Sequence, residues 1–137
     1  MHLFQNFFEI NWLAVIVSVV LSFALGALWH SVLFKKGWSE DSGSVYSSQN
    51  HGNPAVIFGL SGLLHLVLVI ALAMFVGQHT NFLGGALKGL FVSLVWIATS
   101  IGVTYIFVGR TFRLFLIDAG FYVIFLTLAG MILGGWR

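Results

Sequence analysis

The chain has 137 residues, 59% of them hydrophobic and 7% charged, with a formal net charge of +2 and a pI near 9.3. A soluble domain carries about 25% charged residues, so a soluble globular domain is excluded. The absence of cysteine removes disulfides, thiolate metal sites and cysteine nucleophiles, and six cations spread over the whole length make no nucleic-acid patch.

The opening "MHLFQNFFEI" holds no Lys or Arg, and the apolar stretch after it, 10–34, is too long for the core of a cleavable signal peptide. That stretch is expected to stay as a first helix. It places Ala14, Ser18, Ser22, Gly26 and His30 at four-residue steps, along one face. A Ser/Gly-rich polar loop follows at 35–53, with His51 read as a solvated side chain. Asn53 suits an N-cap and Pro54 the first helical position, opening a second helix over 54–77 with Ser61 and His65 one turn apart. After a short connection, a third helix over 82–109 carries Gly85, Gly89 and Ser93 on one face, then Ser100 and Thr104; Lys88 lies inside it, with a stem long enough to snorkel. The fourth, 111–136, holds Arg113 in its first turn, Asp118 and Tyr122 one turn apart, and Gly130 and Gly134 near its end.

Each stretch exceeds the roughly 20 residues a helix needs to cross a bilayer, and none shows the alternation of a barrel strand. The expected fold is an all-α membrane protein: one domain, 1–137, of four transmembrane helices in an antiparallel bundle. Membrane helices associate through small residues, so Ser18, Ser22, Gly26, Gly85, Gly89, Gly130 and Gly134 are the expected contacts. Trp12, Trp38 and Trp136 fall at or beyond helix ends, as in an interfacial belt, whereas Trp29 and Trp96 lie further in and read as packing. A possible internal repeat aligns 65–77 with 122–134, pairing Met74 with Met131 and Gly77 with Gly134. Lys35, Lys36, Arg110 and Arg113 fall on one side, against Lys88 and Arg137 on the other. The positive-inside rule then puts the loops after helices one and three in the cytoplasm and both termini outside a plasma (inner) membrane.

Ionisable residues inside a span are costly and mark candidate sites. Here they are His30, His65 and Asp118, with Ser61, Thr104, Tyr122 and Arg113 as company. On helix rise, His30 lies roughly 6 Å from the loop side, Asp118 and Ser61 roughly 10 Å, and His65 and Tyr122 roughly 16 Å, so one polar cluster in one half of the bilayer is expected. Asp118 needs a cation or several donors and is expected to find them among His30, His65, Tyr122 or an arginine. The cluster has two readings, interhelical bonds that fix the packing or a solute or proton site. Haem ligation by His30 and His65 is disfavoured by their roughly 10 Å difference in depth. No zinc-binding or phosphate-loop pattern is present. Neither a cofactor nor an enzymatic activity is expected.

At "NWLAV" (11–15), "GALWHS" (26–31), "LIDAGFY" (116–122) and "GMILGGW" (130–136) the chain resembles the domain of unknown function 1761 family of small four-helix membrane proteins. The resemblance implies the fold and the membrane location and adds no activity. In that family's pattern the tryptophan is followed by Tyr, Ser and Pro; here His30, Ser31 and Val32 follow Trp29, while Asp118 lies inside a matching stretch. Two functions fit: an assembling membrane subunit, whose partner is a second copy or a larger membrane complex, or a carrier or channel for a small solute or protons.

Overall fold

The computed structural model describes residues 5–34, 36–37, 53–77 and 79–136. Among these residues the chain is helical, without strands, and four helices are long and apolar enough to cross a membrane: α1 (Trp12–Leu33), α2 (Pro54–Val76), α3 (Phe82–Val108) and α4 (Phe112–Gly135). A short 3-10 turn, Phe7–Glu9, precedes α1. Most of the polar loop expected at 35–53, with Trp38 and His51, lies outside the described residues, as do Lys35 and Arg137.

Every helix starts on a side-chain cap, which satisfies amide donors that have no partner within the helix. Asn11 accepts from the Ala14 amide at 3.2 Å, Asn53 from Ala55 at 2.9 Å, Asn81 from Gly84 at 2.8 Å and Thr111 from Leu114 at 3.1 Å. The Asn11 cap is why α1 begins two residues later than the apolar run. At the other ends Gly77 and Gly109 take φ of 72° and 82°, a region that favours glycine. Lys88 snorkels from α3 to the end of α2, where Nζ donates to the Val76 carbonyl at 2.8 Å.

Two helices change pitch. The end of α1, Trp29–Leu33, and the middle of α3, Val92–Ala98, are π-helical, and the Phe34 amide donates five residues back to the Trp29 carbonyl at 2.9 Å. Wider turns of this kind occur mostly as short insertions in α-helices, frequently at functional sites.

The hub is α4, with 44% of its span buried against 11–22% for the others. It packs against α1, α2 and α3. Its seam with α3 is made by glycine: a Cβ on Gly85 would fall 1.9 Å from the Gly130 carbonyl oxygen, and one on Gly89 2.0 Å from that of Leu126. From the facing side, a Cβ on Gly130 would lie 2.1 Å from the Gly85 oxygen and one on Gly134 2.5 Å from that of Asn81. Backbone meets backbone along this seam. On α1, Ala14, Ser18 and Ser22 are buried, while a Cβ on Gly26 would meet the Phe121 ring at 3.7 Å. Phe125, Leu126, Val15 and Val69 fill the centre. Trp29 packs over Gly120 and donates from Nε1 to the Ile117 carbonyl at 2.8 Å, pinning the end of α1 to α4. Gly77 ends a helix whereas Gly134 lies inside one, so the aligned glycines of the possible repeat do different work.

Candidate functional site: a polar cavity between four helices

The late turns of α1 and α3 and the early turns of α2 and α4 surround a half-open cavity of about 670 Å³. His30 comes from the π-helical end of α1, Ser61 and His65 from one face of α2, Tyr105 from α3, and Asp118 and Tyr122 from one face of α4. Phe23, Phe58 and Phe121 complete an aromatic wall. A smaller hollow of about 440 Å³ shares Ser61, His65, Ile101 and Tyr122 and runs into the gap between α2 and α3. These two helices pack together next to their connecting turn, where Phe75 stacks on Phe91 and touches Trp96.

Asp118 is the centre of the polar side. One carboxylate oxygen lies 3.3 Å from His30 Nε2, and the other accepts a short hydrogen bond from the Tyr105 hydroxyl. The His30 and Asp118 side chains are 23% and 15% exposed, so the pair is largely withdrawn from solvent. His30 Nδ1 lies 3.2 Å from the Gly26 carbonyl. A carbonyl only accepts, so Nδ1 carries hydrogen and donates. A carboxylate also only accepts, so an imidazolium, with a hydrogen on each nitrogen, serves both contacts at once. In that form the charges of the imidazolium and the carboxylate cancel.

His65 is built differently. Both ring nitrogens are buried, and among the described residues neither has a hydrogen-bond partner of normal geometry, although the ring approaches the Ser61 backbone. Aromatic rings surround it, with centroids 6.0 Å away at Phe23, 6.4 Å at Phe121, 6.1 Å at Tyr122 and 5.8 Å at Phe125. Phe121 also stands 5.6 Å from His30 and so lies against both imidazoles. Beyond His65 the polar lining stops at the buried Phe125, Leu126, Val69 and Ala129.

The cavity thus joins five of the expected residues: His30, Ser61, His65, Asp118 and Tyr122. Two others lie elsewhere. Thr104 is exposed and bonds back to the Ser100 carbonyl of its own helix at 3.1 Å. Arg113 is exposed beside Gly37, and among the described residues no ion pair joins it to Asp118. The partner that sequence reasoning missed is Tyr105, next to Thr104 and about 100° around the helix from it. Among the described residues no three His, Asp or Glu side chains converge as a metal site.

Fold and site together define an all-helical chain with four candidate membrane spans and a polar cavity at one end. Within that class the assignment narrows to a family: the one described as Protein of unknown function (DUF1761) matches residues 13–134, and the chain belongs to it. No curated protein and no solved structure matches the chain.

Proposed function

We propose that this protein is a multi-pass membrane protein, an antiparallel four-helix bundle that binds a small solute in the cavity around Asp118 and acts as a carrier without catalysing a reaction. The observation that carries this is the cavity itself, about 670 Å³ between four helices, into which His30, Ser61, Asp118 and Tyr122 bring polar groups within an otherwise apolar bundle. The volume is in the range of small-molecule sites. The dry packing past His65 favours an alternating site over an open pore.

Assembly, the other function considered, drew its support from the small-residue stripes. Those on α3 and α4 are occupied within the chain, as are Ala14, Ser18 and Ser22. The charge distribution of the loops supports termini on the outer side of the membrane.

The test uses the full chain in lipid nanodiscs and a panel of neutral, cationic and anionic solutes read by thermal shift. Ser61→Trp, at a position shared by both hollows, fills the cavity and is the control. At least one solute should stabilise the wild type and leave Ser61→Trp unmoved. Equal responses of the two proteins across the panel would remove the reading.

A further inference from the structure

The charge and shape of the cavity restrict what it can take. The titratable groups facing it are His30 from α1, His65 from α2, Tyr105 from α3, and Asp118 and Tyr122 from α4. Among the described residues no Lys or Arg lines it, and Asp118 is its only acid. Release of the single proton between His30 and Asp118 leaves a net negative charge facing Phe23, Phe58, Phe121 and Tyr122. A carboxylate next to aromatic faces is a site for an organic cation, because ring faces carry negative potential and attract a weakly hydrated positive charge. An anion would meet the carboxylate with no fixed cation among the described lining residues to offset it.

The approach route carries a second restriction. The smaller hollow opens sideways between α2 and α3, lined by Leu64, Leu68 and Ile97 on the way to His65 and Tyr122. Leu64 is 69% exposed, on a face that reads as lipid-facing. A ligand passing this wall must tolerate hydrocarbon.

Resting on the reading of the cavity as a solute site, we infer that its ligand is an amphiphilic organic cation that enters between α2 and α3 and displaces the proton held by His30 and Asp118. The exchange balances. The protonated, neutral pair and one cation become the deprotonated, negative pair with the cation bound, and one proton leaves to water at the cavity mouth. Tyr105 stays bonded to the second Asp118 oxygen throughout and fixes the carboxylate plane. The aromatic rings hold the apolar body of the ligand.

The probe is tetraphenylphosphonium, with tetraphenylborate as an anion of the same shape, titrated calorimetrically into wild type, Asp118→Asn and Ser61→Trp in zwitterionic nanodiscs, with empty discs as baseline. The wild type should bind one phosphonium per chain, and affinity should rise about tenfold per pH unit wherever the pair is protonated. Heats in buffers of different ionisation enthalpy should count one proton released. Asp118→Asn keeps the shape and should bind at least about tenfold more weakly, with helicity and melting close to wild type; Ser61→Trp should not bind. If both ions bind, survive Asp118→Asn and are lost in Ser61→Trp, the cation assignment is overturned and the solute site stands. Phosphonium binding without pH dependence overturns the proton exchange. If neither ion binds above empty discs, the cation assignment fails, and the wider solute panel decides the rest.

Discussion

Substituting Gly130 by alanine tests the α3–α4 seam directly. The new methyl would lie 2.1 Å from the Gly85 carbonyl oxygen and 2.9 Å from its carbon, whereas ordinary contact begins at 3.4 Å. The neighbour is backbone on a capped helix, so the clash is relieved only by moving the helices apart by more than an ångström. Separation also opens the contacts of Gly85, Gly89 and Gly134, which lie on the same seam. Overpacking of this kind costs about 1–3 kcal/mol, and the upper part of that range is expected because the seam moves as a unit. Gly59 is the matched control. It too lies inside a helix, but a Cβ there meets nothing within 4 Å, so Gly59→Ala should be neutral or stabilise by up to about 1 kcal/mol. Both are read from reversible unfolding in detergent micelles followed by circular dichroism. Equal stabilities for the two variants would refute the reasoning, since they differ mainly in what the methyl group meets.

Three further outcomes follow from the contacts around the site. Asp118→Leu strands His30 Nε2 and the Tyr105 hydroxyl and should destabilise the fold by about 1–3 kcal/mol relative to Asp118→Asn, which keeps hydrogen-bonding capacity; a leucine variant as stable as the asparagine one would count against a buried polar network. Trp29→Phe removes the donor to the Ile117 carbonyl and should cost about 0.5–1.5 kcal/mol, with faster hydrogen exchange confined to the end of α1. Uniform exchange would show that Trp29 does not pin that segment. Asn81→Ala deletes the cap on Gly84 and should cost about 1 kcal/mol; Asn81→Asp should recover most of that, and failure of the rescue would assign the loss to something other than the cap.

The helices were legible because hydropathy and capping residues point to the same boundaries. The Asn-Pro pair at 53–54 marks the start of α2. The α3–α4 seam was legible because glycine at four-residue steps has one cheap use in a packed apolar helix, close backbone approach. The cluster was legible in depth and only partly in direction. Helix rise places residues along the axis well, but facing depends on accumulated rotation. The π-helical segment at Val92–Ala98 takes more residues per turn and offsets the drift of a four-residue stripe. The line Gly85, Gly89, Ser93 therefore continues through Ile97 and Ile101 to Tyr105, which meets Asp118, while Thr104 turns outward. Carrying that stripe three steps further would have found Tyr105. Nothing in composition signalled it, because an isolated tyrosine in an apolar helix resembles packing.

The same residue type does opposite work at the two ends of the molecule, and that contrast explains why a cavity exists. Along α3 and α4, Gly85, Gly89, Gly130 and Gly134 face backbone, so the helices close and leave no space between them. Around the polar end the glycines face aromatic rings: Gly26 meets Phe121, Gly62 meets Phe23, and Gly120 meets Trp29, each with room for the ring at ordinary or slightly tight contact. A ring inserted between helices is a spacer, and a spacer standing on a glycine can shift without forcing backbone apart. The π-helical segment of α3 lies where the closed half gives way to the open one, and that of α1, which carries His30, lies at the open end. Helices closed on glycine at one end and held apart by rings at the other leave the cavity between them.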